Sequence, residues 1–131
     1  MAGSKTNYLE NRVLDTFLRN QASGQVATVY VGLFTAITDG EVPTVTEVSG
    51  NAYARQSVAF DAASGGATQN TSQITFPTAT PSGWGTIVGA GIYDALSGGN
   101  LLYWFDLDAN KTVNAGDVFQ FAAGAIDITE G

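Results

Sequence analysis

Thr86-Ile87-Val88-Gly89-Ala90-Gly91-Ile92-Tyr93-Asp94, then Ala95-Leu96-Ser97-Gly98-Gly99, then Asn100-Leu101-Leu102-Tyr103-Trp104-Phe105-Asp106-Leu107 is the stretch that decides the fold. Two runs rich in β-branched and aromatic residues flank five residues ending in Ser-Gly-Gly, which is how two strands joined by a hairpin read. The second run is apolar at consecutive positions from Leu101 to Phe105, so both of its faces need cover. Such a run belongs to a central strand or to a subunit interface.

Working outward, shorter strand-like runs lie on both sides of this pair. Upstream, residues 26–34 place Val29, Val31 and Leu33 opposite Tyr30, Gly32 and Phe34, and residues 44–48 alternate weakly. Residues 53–60 set Ala54, Gln56, Val58 and Phe60 against Tyr53, Arg55, Ser57 and Ala59, and a short strand runs through Ile74 and Phe76. Downstream, Val118 to Phe121 and residues 125–129 complete the series, with Ile126 and Ile128 on one side of Asp127. Residues 62–72 and 77–85 read as loops rich in Gly, Ser, Thr, Asn and Pro. Period-two runs of this number, punctuated by turns, predict a mainly β protein, an antiparallel β-sandwich of jelly-roll-like or other Greek-key form.

Before Gly24 the period changes. Leu9, Val13, Leu14, Phe17 and Leu18 recur at helical spacing between Asn7 and Asn20, with Asn7 and Glu10 placed as a capping box and Asp15 four residues before Arg19. The chain therefore divides into an N-terminal helix or arm over residues 1–24 and a β-sandwich over residues 25–131, one domain overall. The helix either covers its own sheet or docks as an arm on a neighbouring subunit.

Composition narrows the chemistry. The 131 residues are 44% hydrophobic but only 13% charged, which leaves the surface to Thr, Ser, Asn, Gln, Ala and Gly. With 5 basic against 12 acidic residues the net charge is −7, and Lys5, Arg12, Arg19, Arg55 and Lys111 are scattered. Neither a nucleic-acid site nor a site for anionic lipid is built that way. Histidine and cysteine are absent, so Ser–His–Asp and Cys–His nucleophiles, zinc sites built on those residues, iron–sulfur clusters and thiol redox chemistry are excluded. No apolar run reaches membrane-spanning length and Met1 opens no signal peptide, so the expectation is a soluble protein made in the cytoplasm.

Two constellations invite chemistry. Asp106, Asp108, Asn110 and Asp117 imitate the spacing of a calcium loop, but Lys111 stands where the turn glycine belongs and Asp117 replaces the bidentate Glu. A polar connection between strands is the expectation, with no metal and no cofactor. A glycoside hydrolase needs two carboxyl groups facing across a cleft, and no spacing here marks such a pair. Trp84, Tyr93, Tyr103 and Trp104 could stack on sugars but suit a core or an interface.

Asn7-Tyr8-Leu9-Glu10-Asn11, Tyr30-Val31-Gly32-Leu33-Phe34-Thr35, Glu47-Val48-Ser49-Gly50-Asn51-Ala52-Tyr53-Ala54-Arg55, Ile92-Tyr93-Asp94 and Lys111-Thr112-Val113-Asn114-Ala115-Gly116-Asp117 resemble, in this order, a family of small tailed-phage virion structural proteins. Its members are variously labelled head decoration, cement or tail-fibre proteins. The resemblance implies a non-enzymatic capsid decoration protein that binds the major capsid protein on the outer surface of the virion and stabilises the shell, commonly as a homotrimer. The alternatives are a tail-fibre or head-fibre subunit serving host attachment, with host glycans among its contacts, and a small carbohydrate-active enzyme. For the contact surface the expectation falls on Leu9, Val13 and Phe17 of the helix and on Tyr103, Trp104 and Phe105 of the doubly apolar strand.

Overall fold

The computed structural model describes residues 2–130. Its elements run β1 (Ala2–Lys5), α1 (Asn7–Arg19), β2 (Val29–Asp39), β3 (Thr44–Glu47), β4 (Gln56–Val58), β5 (Ala67–Gln69), β6 (Ile74–Thr75), β7 (Gly85–Tyr93), β8 (Leu101–Val113), β9 (Gln120–Phe121) and β10 (Asp127–Thr129). The architecture is mainly β with one helix ahead of Gly24, as the change of period predicts.

The hairpin is the centre of the molecule. β7 and β8 pair antiparallel with Ala90 opposite Phe105, Gly91 opposite Trp104 and Ile92 opposite Tyr103, and β2 pairs on the far side of β7. The turn between them needs glycine. Gly99 has φ +70°, and a Cβ there would stand 2.4 Å from the Asp94 carboxylate. That carboxylate instead accepts from the Asn100 backbone N–H at 2.7 Å and closes the loop.

Alternation then sorts the side chains into two layers. Val31, Leu33, Ile87, Ala90, Ile92 and Phe105 point to one face, where they pack on Ile74, Phe76, Phe119, Phe121, Ile126 and Ile128 of the opposing strands. The small β6–β9 ribbon supplies the aromatic part of that second layer. Phe76 lies against Tyr53, Trp84, Phe119 and Phe121 with ring centroids 5.9–6.4 Å apart, and Phe121 meets Phe105 at 6.2 Å across the layers. All but the stacked Tyr53–Phe76 pair meet edge to face, and aromatic pairs of both kinds add to the area they bury. The other face of the sheet carries a smaller cluster of Phe34, Tyr93 and Leu101, with Ile37, Val45 and Trp104 packed on it. β8 is thus covered on both sides, as a run apolar at every position requires.

Its outer edge is covered too, by a strand the periodicity does not reveal. β1 lies between β8 and β10 in the order β3-β2-β7-β8-β1-β10-β5, while β4 joins β2 beside β3. Ser4 and Lys5 pair antiparallel with Trp104 and Tyr103 of β8, and Ala2 and Gly3 pair parallel with Asp127 and Ile128 of β10. A clamp of side chains holds this strand. Lys5 Nζ donates to Glu130 at 2.6 Å, and the Tyr103 hydroxyl donates to the same carboxylate. Burial would raise the Glu130 pKa, but the hydrogen bonds from Lys5 and Tyr103 prevail and hold it below the usual carboxylate range.

Other local expectations give way to better partners. The helix is capped by Thr6, not by Asn7: the Thr6 Oγ1 accepts from the Leu9 N–H and itself donates to the Leu101 carbonyl at 2.7 Å. Thr6 is fully buried, because strand and helix meet there. The predicted strand over residues 53–60 contracts to β4 because Arg55 is drawn into an ion pair, and β5 forms inside the predicted 62–72 loop. Asn70 organises the region beyond β5. Its buried amide donates to the Ser72 and Ala122 carbonyls at 2.9 and 3.0 Å and accepts from the Ile126 N–H at 2.8 Å.

Two outcomes follow from these contacts. Asn70→Ala leaves two carbonyls and one N–H without their partner and is expected to cost about 2–3 kcal/mol in urea unfolding, whereas Gln73→Ala, on the exposed ribbon, stays within about 0.5 kcal/mol. Glu130 has its pKa lowered by folding, so its contribution is complete above the ordinary carboxylate range and is lost as pH falls through the lowered value. Glu130→Gln is therefore expected to lower stability at pH 7 by no more than about 1 kcal/mol, the pair being partly exposed, with the difference from the parent closing below about pH 4.

Candidate functional site

The helix is amphipathic but does not spend its apolar stripe on its own domain. None of its residues is buried. Leu9 and Val13 are half-buried, whereas Leu14, Phe17 and Leu18 are 54%, 80% and 77% exposed, with Val26 exposed nearby. An isolated exposed leucine is ordinary, but three large side chains on one helix face form a patch of the kind that marks a contact surface. Between α1 and the sheet lies an open groove of about 390 Å³, walled by Leu9, Val13, Phe17, Val26, Val29 and Leu102. Arg12 bridges its mouth, donating to the Ser23 carbonyl at 3.2 Å, and its guanidinium lies 5.8 Å from the Tyr8 ring centroid. The Asn7 N–H is held by the Glu41 carbonyl at 3.0 Å. The helix is therefore anchored at its start and bare at Leu14, Phe17 and Leu18.

The three strand residues expected at a contact surface divide. Phe105 is 2% exposed inside the aromatic core of its own protomer and has no surface to offer a neighbour. Tyr103 and Trp104 are half-buried, Tyr103 in the Glu130 clamp and Trp104 against Gly40 at the end of β2. The doubly apolar run is thus satisfied largely within the chain, because β1 and the Phe34 cluster supply cover that the sequence pattern does not announce.

A second polar cluster escapes sequence reasoning altogether. Arg55 forms a fork on Glu47, Nε to Oε2 and Nη2 to Oε1 both at 2.9 Å, and its guanidinium lies 3.5 Å from the Tyr93 ring centroid. The Tyr53 hydroxyl donates to Glu47 at 2.6 Å and accepts from the Leu33 N–H at 2.9 Å. Burial, and then Glu47, push Tyr93 up to about 12, and the same causes raise Tyr53 further. Burial would lower the Arg55 pKa, but Glu47 more than offsets it. The two tyrosines and Arg55 hold one charge state across neutral pH. What the cluster does is mechanical: Arg55 Nη1 donates at 2.8 Å to the carbonyls of Ala95 and Gly98, fixing the β7–β8 loop. The signal available in sequence was only that a lone arginine sits inside a strand-like run of small and apolar residues.

Three of the segments that carry the family resemblance, those around Leu33, from Glu47 to Arg55 and at Tyr93, meet in this cluster. The carboxylates of the calcium-like spacing do not meet. Asp106 and Asp108 lie on β8 at a bulge, and Asp117 accepts from the Asn114 N–H in the following turn at 2.8 Å. Among the described residues no three acidic side chains converge where a metal ion could sit.

A search of curated proteins finds no match to the chain. The family model described as Podophage GP4 fiber I protein gp80 matches residues 4–129, from the middle of β1 through the whole of β10. With nearly its entire length matched, the chain belongs to the podophage GP4 fiber I protein gp80 family of phage structural proteins.

Proposed function

We propose that the chain is a structural subunit of a phage fibre, acting by assembly and attachment and not by catalysis. The match of residues 4–129 to a fibre family carries this reading, and it supports the fibre alternative over capsid decoration. The composition is consistent with it, since a chain without His or Cys whose buried ionic groups serve as loop locks suits a scaffold.

In this reading α1 is the assembly element. Leu14, Phe17 and Leu18 pack against a second copy, and a homotrimer closes the contact. Full burial of a Leu or Phe side chain is worth about 1.5–3 kcal/mol, so three of them give a useful surplus over the cost of association when the copies are held close together. A low-charge surface lets that contact form without stripping water from ions. The loop held by Arg55 is then free to face outward as a rigid contact for the host surface or the next fibre component.

The test has two parts. In sedimentation the purified chain is expected to self-associate, and Phe17→Ser with Leu18→Ser to weaken association by at least about tenfold, since each tenfold corresponds to about 1.4 kcal/mol. In electron density of intact particles, a tagged copy is expected in a fibre. Density on the capsid lattice would return the decoration reading in its place, and a monomer at high concentration would remove α1 as the assembly element.

A further inference from the structure

We propose that β1 is an exchanged strand: in the assembled protein, residues 2–5 of one copy fill the slot between β8 and β10 of the next. This rests on the self-association just proposed and gives its mechanism.

Four observations carry it. First, β1 is grafted into the sheet from outside the hairpin order, bonded along one half to β8 and along the other to β10, and its removal would open both edges. Second, the slot is shaped for this strand. A side chain at Gly3 would come within 2.6 Å of the buried Ile128, Lys5 is needed opposite the Glu130 carboxylate, and Thr6 is needed at the Leu101 carbonyl. β1 of the same chain meets all three demands in the structure, and β1 of another copy would meet them equally.

Third, the strand carries a handle. α1 follows it directly at Thr6, buries none of its residues on its own domain and leaves Leu14, Phe17 and Leu18 bare. Fourth, residues 20–28 are exposed at every position and lie outside any helix or strand. Nine residues can span up to about 30 Å when extended. The connection from α1 to β2 can therefore cross to a neighbour without breaking an element of either copy.

The energetics favour exchange once copies are close. Moving β1 to a neighbour's slot remakes every bond it leaves, so the step is near neutral apart from its concentration dependence. The helix moves with it in the same pose on the slot, so cover for its stripe comes from the seam that exchange forms between copies. Closure around a ring satisfies every slot, so exchange and a closed oligomer support each other.

The Lys5–Glu130 pair gives a test in the unaltered chain. Equal amounts of ¹⁴N- and ¹⁵N-labelled protein are unfolded together, refolded, sized by sedimentation and treated with a zero-length amine–carboxyl coupling reagent. Mass spectrometry then reads the isotopes on the two sides of the Lys5–Glu130 link. Exchange in a mixed ring predicts that about half of the links join a light to a heavy peptide. An oligomer whose links are all light–light or heavy–heavy overturns exchange and leaves self-association standing. A monomer with unmixed links overturns both. The chain has no native cysteine, so Ser4→Cys with Trp104→Cys provides an independent reading without refolding: on a denaturing non-reducing gel, exchange gives covalent multimers and its absence gives a covalent monomer.

Discussion

β8 is apolar from Leu101 to Phe105, and a strand of that kind has to be enclosed on two faces and two edges at once. The rest of the molecule can be derived from how each side is closed. One face is met by the Phe76 and Phe121 rings of the opposing layer, and the other by Tyr93 together with the turn at Gly40 that lies against Trp104. One edge is taken by β7, through a hairpin whose loop is tied down by Arg55. The last edge is the difficult one, because an unpaired edge beside an apolar face is a template for aggregation. β1 closes it, which makes four residues ahead of the helix as important to the sheet as the long strands.

That arrangement explains why the helix is bare. α1 begins at Thr6, whose hydroxyl serves both the Leu9 N–H and the Leu101 carbonyl, so its position is dictated by the end of β1. A helix placed by its cap brings Leu9 and Val13 to the groove walled by Val29 and Leu102, and Leu14, Phe17 and Leu18 stay in solvent. Most helices are stabilised by the face they bury. This one depends on its cap, its Asp15–Arg19 pair and the Arg12 tether, contacts worth little individually. An element stabilised so lightly at home gains most from a neighbour.

The hairpin, the change of period before Gly24 and the mainly β class were legible because burial imposes period two or period 3.6 directly on the residues. β1 was not, since Ala2-Gly3-Ser4-Lys5 has no apolar alternation and is a strand only because two edges wait for it. Residues 53–60 misled for the opposite reason: the alternation is there, but Arg55 satisfies Glu47 and two loop carbonyls better than a ladder would. At the site, helical spacing puts Phe17 on an apolar stripe, and only the structure shows that side chain exposed. Phe105 was misplaced, because a doubly apolar run cannot say whether its second cover comes from the same chain or another. The Glu47–Tyr53–Arg55–Tyr93 cluster joins residues up to 46 positions apart and left no periodic trace.

The use of charge ties these points together. With so few basic residues, the chain spends Lys5 on Glu130 to clamp β1, Arg55 on Glu47 to lock the hairpin loop, and Arg12 and Arg19 on the helix and its tether. Lys5 and Arg55 thus secure junctions where one element is held to another, and the surplus of acid repels free copies at long range. In the proposed assembly, association comes from apolar contact and strand pairing, which act only at short range and are insensitive to salt. Long-range repulsion with short-range, sequence-selective adhesion suits a fibre subunit, because dilute copies stay dispersed and concentrated ones join in one register. The slot between β8 and β10 adds selectivity that an apolar stripe alone lacks: a stripe accepts many partners, whereas a strand with glycine, lysine and threonine in fixed register accepts its own kind.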